Sequence, residues 1–425
     1  MQHKFGALDL IRAGLQDLDR ARTLFDELHN DGIDDDRMRL LLATLEKACD
    51  PDIALSNLVD IIKVMQSQGK DFTNIIADEN SFVRLITVLG VSDEMGKLMR
   101  FRPELVEAAA NDACESHLYN HEQRRAHVLK SVGADPNDHT MPTASLPLAE
   151  AATALRKTYR KQLAAIMAQD ATANDPIEIQ PRISTELSDL ADAALEGALA
   201  IARHEVDGSE HVRFAIIGMG KLGAQELNYV SDVDLIYVVE PADMDTNGMA
   251  LSRIGTKMAT TLQRVCQSVI MGVAEPTLWQ IDGGLRPEGK DGPLVRRLES
   301  HEAYYEQWAE NWEFQALLKA RPVAGDTDLG QAYMDMTRPF VWTASKRDNF
   351  VYDCQQMRKR VEDLIPNPLK DREIKLGRGG LRDVEFTVQM LQLVHGRTDE
   401  SLRTSNTLDS LQRLSEGGYV SRKQA

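Results

Sequence analysis

Three aspartates and a glycine turn carry the chemistry that this sequence allows. From Phe214 to Glu240 the chain reads FAIIGMGKLGAQELNYVSDVDLIYVVE. An apolar run, Phe214 to Ile217, leads into Gly218-Met219-Gly220-Lys221-Leu222-Gly223, and a second apolar run, Leu235 to Val239, closes the stretch. Asp232 and Asp234 stand at the mouth of that second run. Residues i and i+2 of a strand share a face, so both carboxylates project together from one sheet edge. A third acid, Asp282, ends the β-prone run Thr277–Ile281 and precedes the glycine-rich basic loop GGLRPEGKDGP. Carboxylates so grouped suit divalent ions beside phosphate, in a two-metal in-line displacement at phosphorus. Gly220 lets backbone approach a phosphate, Lys221 neutralises its charge, and Arg286 is placed to clamp it with two nitrogens.

Other readings of the same residues are weaker. Gly218, Gly220 and Gly223 match G-x-G-x-x-G, but a dinucleotide fold sets its acid about 20 residues on, at the end of the second strand. Here the acids come as a D-x-D pair before that strand. Lys221 does not sit in a Walker A sequence. Each feature alone has an ordinary explanation as a turn, a cap or a solvated strand edge. Their order is what argues for a site: glycine turn, D-x-D into a strand, helix, then an Asp-terminated strand with a basic loop.

The elements that must position these residues are legible in outline. Residues 1 to about 130 read as short helices, with an entrance at Asp34-Asp35-Asp36 and a stop and restart at Asp50-Pro51-Asp52. Residues 131–147 read as a linker. Leu148–Met167 reads as a helix, Gln169–Pro181 as a loop, and the apolar spacing from Leu187 to Leu199 as a helix capped by Ser184 or Thr185. Helices are expected over Leu251–Met271, His301–Ala320 and from about 331 onward. Trp308 and Trp312, at helical spacing, are expected in the core. The predicted fold class is α+β: a mixed sheet domain at 141–330 between helical regions at 1–140 and 331–425.

Composition narrows the function classes. The chain has 425 residues and a net charge of −17, from 49 basic and 66 acidic residues. That balance argues against nucleic acid as a partner, since phosphate backbones demand a basic footprint. No apolar run reaches membrane-spanning length, and the first residues lack a signal-peptide core. Cys49, Cys114, Cys266 and Cys354 form neither a zinc pattern nor a disulfide framework, as expected in a reducing cytoplasm. His117, His121 and His127 lack a third-ligand pattern and read as solvated helix residues.

With those residues in view, the chain resembles the glutamine-synthetase adenylyltransferase family, a branch of the nucleotidyltransferase superfamily. Gly218, Gly220, Lys221, Leu222, Gly223, Glu226, Leu227, Ser231, Asp232 and Asp234 match G-x-G-K-L-G-x-x-E-L-x-x-x-S-D-x-D. LRPEGKDGPLV, WEFQALLKARPVAGD and KLGRGGLRDVEFTVQMLQL resemble three further blocks. The resemblance covers about residues 180–420. One departure is visible: many relatives carry an arginine where this chain has Gly284. The resemblance implies a nucleotidyltransferase fold, Asp232, Asp234 and Asp282 as catalytic metal ligands for two Mg²⁺ (Mn²⁺ as the alternative), and a phosphate or nucleotide side made by Gly218, Gly220, Lys221, Ser231, Arg286, Lys319 and Arg321. For Lys319 and Arg321 a structural ion pair is an equal alternative, and Glu385 is expected in a buried pair. Met219, Asn228 and GGLRDVEF resemble the N-terminal of two tandem halves. That half removes AMP from a glutamine synthetase tyrosine by phosphorolysis, giving ADP. The rivals are ATP-dependent adenylylation, and a non-catalytic module that binds nucleotide or a PII-type signal protein. The resemblance also leads us to expect a fragment of a longer protein.

Overall fold

The computed structural model describes residues 5–423 except 71, 73–77, 111–118, 245 and 371; Cys114 and His117 lie outside the described residues. The chain clusters into two compact units. One holds residues 1–124 and 157–186, the other 125–156 and 187–425.

The first unit is helical, and its acids do local work. Asp17, Asp34, Asp50, Asp78 and Ser92 each cap a helix by accepting a backbone amide in its first turn. Asp50 precedes Pro51, whose missing amide costs nothing at that position. Leu28, Leu41, Leu55, Ile61, Leu85 and Leu89 are fully buried among these helices.

The second unit is built on a mixed five-stranded sheet. Its strands are β1 (Val212–Gly218), β2 (Val233–Pro241), β3 (Ile281–Asp282), β4 (Val295–Arg296) and β5 (Arg321–Gly325). Their order is β3-β2-β1-β5, with β4 also on β2. β1 pairs antiparallel with β2 and with β5, while β3 and β4 run parallel to β2. Both central strands are buried almost throughout, as strands covered on two faces must be. One core joins Ala215, Ile217, Ile236 and Val238 of the sheet to Tyr305, Phe314, Tyr333, Phe350 and Leu393 of the helices that follow. Those later helices therefore share the sheet's own core.

Three boundaries differ from the sequence-based expectation. The run Thr277–Ile281 is strand only at Ile281–Asp282, because its other amides look elsewhere: Leu278 N donates to Cys266 O. The helix expected to start at Ser184 or Thr185 starts at Pro176, where Asp175 accepts the amides of Ile177 and Glu178. The helix expected over His301–Ala320 breaks into Leu298–Gln307 and Asn311–Leu317, since Glu310 and Glu313 form a capping box that starts a second helix. Helical spacing therefore does not relate the two tryptophans. Trp308 is 74% exposed rather than in the core.

Among the described residues no helix is long and apolar enough to cross a membrane. Cys49 is exposed, Cys266 and Cys354 are buried, and burial raises the Cys266 thiol to about 12.

Candidate active site

Strand register sets two of the acids side by side. β2 and β3 pair in parallel with Val233 opposite Ile281 and Asp234 opposite Asp282. Asp232 stands just before the strand begins, near enough for its charge to act on Asp234. Within this ladder Val233 N donates to Gln280 O at 3.0 Å, and Ile281 N donates to the Gln267 side chain at 2.8 Å, which ties β3 to the preceding helix. Asp282 is further oriented by Gly284 N, which donates to its Oδ1 at 2.7 Å. A Cβ at position 284 would lie 2.9 Å from that oxygen. Glycine at 284 thus lets the backbone serve the third carboxylate.

The glycine turn closes over the same acids. β1 ends at Gly218, and a four-residue helix, Gly220–Gly223, follows. Met219 N donates to Asp234 O at 2.8 Å, tying the turn to the acidic strand. Gly220 has φ +54°, and a Cβ there would come within 2.5 Å of Asp234 Oδ2. Only glycine both adopts this backbone and leaves the carboxylate room. Gly223 is required for packing, because a Cβ would meet Lys319 O at 1.8 Å.

Electrostatics mark Asp234 as the centre. Burial first, then the charges of Asp232 and Asp282, push its carboxyl up to about 6, against the pull of Arg382 and Lys375. A desolvated carboxylate beside two others is an uncompensated negative site. Asp234 and Asp282 offer the hard oxygen donors that Mg²⁺ or Mn²⁺ takes, and a cation beside them would relieve both the burial and the repulsion, although the three carboxylates are not drawn together into a ready-made triad in this structure. Lys221 is half-buried, with Nζ 3.3 Å from Asn228 Oδ1; burial and then Lys375 lower its ammonium below the usual range. Ser231 Oγ donates to Asp232 O at 2.9 Å.

Three expected phosphate ligands have other occupations. Lys319 is 3% exposed, and its ammonium donates to Glu226 at 2.8 Å, Glu385 at 2.6 Å and Thr407 Oγ1 at 3.1 Å. Arg321 holds buried Asp192 through both terminal nitrogens, at 2.6 and 3.1 Å, and donates to the carbonyls of Leu222 and Gly223. Arg286 donates to Gly283 O, Lys290 O and Gly292 O, so it fastens its own loop. In this structure all three side chains are thus engaged in internal bonds. Lys319 and Arg321 take the structural-pair alternative, and Glu385 is in the buried pair expected of it. Glu226, matched as part of the glycine motif, accepts from both Lys319 and the Thr407 amide.

Sequence reasoning missed Arg382 and Lys375 as charges acting on Asp234. The available signal was their place in the KLGRGGLRDVEF block. Asp383 is structural, bonded to Arg358 at 2.5 Å and to the Gly379 amide at 2.6 Å.

Residues 82–336 match the family model described as glutamate-ammonia ligase adenylyltransferase. Residues 355–425 match that of the GlnD PII-uridylyltransferase. Proteins named bifunctional glutamine synthetase adenylyltransferase/adenylyl-removing enzyme are similar over nearly the whole chain. One from Bifidobacterium longum (strain DJO10A) is 78% identical over 99% of this chain and 39% of its own length. Others are from Cutibacterium acnes (44% identical, 98% of this chain, 42% of the relative) and Streptomyces avermitilis (42%, 98% and 39%). The chain thus spans about two fifths of the length of these curated relatives. With a family model covering more than half of its residues, the chain belongs to the glutamate-ammonia ligase adenylyltransferase family.

Proposed function

We propose that this chain is a metal-dependent nucleotidyltransferase unit that removes AMP from an adenylylated tyrosine of glutamine synthetase by phosphorolysis. The observation that carries the reading is the register pairing of Asp234 with Asp282, with Asp232 just before the same strand, beneath a glycine turn. In this reading the sheet is a nucleotidyltransferase-fold domain, and the helices after about 330 complete its cleft.

Asp232, Asp234 and Asp282 would hold two Mg²⁺ or Mn²⁺ ions, which when bound supply charge neutralisation at phosphorus and activation of the incoming oxygen. The chain's own residues do the rest. Gly218, Gly220, Lys221 and Ser231 form the phosphate side, and Gly220 gives a phosphate oxygen access to the acids. Lys221, Lys375 and Arg382 add positive charge where the transferred phosphoryl group accumulates negative charge. Lys319, Arg321 and Arg286 keep turn, strand and loop in place. A phosphate oxygen forms the new bond to the AMP phosphorus, the bond to the tyrosine oxygen breaks, and the products are ADP and free tyrosine.

Removal is favoured over addition by the resemblance of Met219, Asn228 and GGLRDVEF to the removing half; the relatives' names carry both activities. A PII-type signal protein as a partner draws support from the second family match at 355–425. The test is incubation of adenylylated glutamine synthetase with this chain, inorganic phosphate and Mg²⁺. ADP and unmodified synthetase are expected. ATP-dependent modification of the synthetase instead would reverse the direction proposed, and no reaction of either kind would leave the regulatory-module rival standing.

A further inference from the structure

A cavity of about 240 Å³ opens beside Gly220 and Asp234 and runs between the helices Asn311–Leu317, Phe350–Asp363 and Leu381–His395. Its apolar walls come from Leu285, Trp312, Met357, Val361 and Phe386. Two buried glutamines also line it: Gln315 is 2% exposed and Gln389 7%. They bond to each other, Gln315 Nε2 donating to Gln389 Oε1 at 2.8 Å. That leaves Gln315 Oε1 buried with no hydrogen-bond partner among the described residues.

An orphaned buried amide oxygen forfeits its hydration with nothing in exchange, and native structures rarely keep one without reason. A single water is a poor remedy here. The cavity far exceeds the roughly 30 Å³ share of one water, and its walls are mostly apolar. It is also smaller than the roughly 300–1,000 Å³ of pockets that enclose drug-sized ligands. What fits is one flat ring system with a donor on its edge, joined to a group that reaches the acids at the mouth.

We propose that this cavity is the slot for the adenine ring of the nucleotide, with Gln315 Oε1 accepting a hydrogen from the 6-amino group. The inference rests on the nucleotidyl-transfer reading of the acidic site and adds the base recognition which that reading lacks. The aromatic and aliphatic walls bury the ring faces, and Trp312 offers an indole beside them. Hypoxanthine and guanine carry an oxygen at the 6-position, so they would set acceptor against acceptor. A buried site built to bond a polar group discriminates most strongly against the analogue that cannot answer it.

The test is calorimetric titration of the 425-residue chain, in Mg²⁺, with ADP, inosine diphosphate and pyrophosphate. The wild type should bind ADP about tenfold or more tightly than inosine diphosphate, the ratio set by one buried hydrogen bond. Gln315→Leu should bring the two within about twofold. Met357→Trp, which fills the slot from its half-buried rim, should weaken ADP at least about tenfold and leave pyrophosphate unchanged. It also decides the matter where Gln315→Leu fails to fold. Pyrophosphate reports the acids and glycine turn without the base. Pyrophosphate binding that Asp234→Asn does not alter overturns the acidic-site reading and the slot with it. Pyrophosphate binding that needs Asp234, joined to an ADP preference that neither slot variant changes, overturns the slot alone.

Discussion

Replacing Lys319 by Met removes a buried ammonium while keeping a stem of similar length. The ammonium lies 2.8 Å from Glu226 and 2.6 Å from Glu385, whose side chains are only 17% and 19% exposed. Breaking a buried pair from one side costs about 3–5 kcal/mol, because the remaining charge stays desolvated. Glu385 keeps Arg382 at 2.7 Å, and both carboxylates retain some solvent, so the low end applies. The expected loss is about 3 kcal/mol, or about 150-fold in the unfolding constant. The assay is equilibrium unfolding in urea followed by tryptophan emission, at pH 8 and 5.5. In the wild type, burial raises Glu385, but Lys319 and Arg382 together hold it below its usual range. Its stabilisation is therefore present above the unfolded carboxyl value and is lost only as pH falls through the lower folded value, outside this window. Without Lys319, Glu385 loses the largest of the charges that oppose its burial, so its folded value rises. The variant's deficit should then be full at pH 8 and smaller at pH 5.5. Adding Glu226→Gln and Glu385→Gln should recover more than half of it. An unfolding energy within about 0.5 kcal/mol of wild type, with a phosphate KM raised about tenfold, would refute the brace and return Lys319 to the phosphate side.

Asp232→Asn and Asp234→Asn should each lower phosphate-dependent ADP release at least about 1,000-fold and leave the melting temperature equal or higher, since both remove a charge from a repelling cluster; unchanged release would remove these acids from the mechanism. Gly220→Ala should cost about 1–2 kcal/mol for its backbone and more than about 100-fold in rate, because the new Cβ displaces the Asp234 carboxylate; a stability loss with normal rate would separate the turn from the site. His301, fully buried, is held neutral down to about 3 by burial first and Arg296 second. Its folded value lies below the unfolded 6.5, so its stability is complete above pH 6.5 and falls as pH drops, by about 2 kcal/mol between pH 7.5 and 5. His301→Phe should flatten that part of the pH–stability curve, and an unchanged slope would place the titration elsewhere.

What was legible in the sequence is what depends on neighbours along the chain. The apolar runs at 214–217 and 235–239 became β1 and β2, and Asp234 took its place at the start of the second. Asp282 was found because it ends an apolar run, although only two residues of that run pair as strand. The uses of Lys319 and Arg321 were left open for a physical reason: their partners Glu226, Glu385 and Asp192 lie 93, 66 and 129 residues away. No local pattern chooses between a lysine reaching a phosphate and one reaching a distant carboxylate. The helix break at Trp308 was hidden because Glu310 and Glu313 also fit a helix interior, and only their mutual capping bonds reveal a start.

The clamp on β3 bears on how this family can vary. Because the Gln267 side chain holds Ile281 N, the position of Asp282 is set from the end of the preceding helix rather than by the connection between them. That connection carries Val269 and Met271 at 90% and 94% exposure, and a left-handed Gly272. Lengthening such a loop costs little, since closure entropy grows only slowly with length. Residues 269–274 are therefore where relatives can gain or lose segments without shifting the third acid, and where a reporter peptide could be inserted with the site left intact.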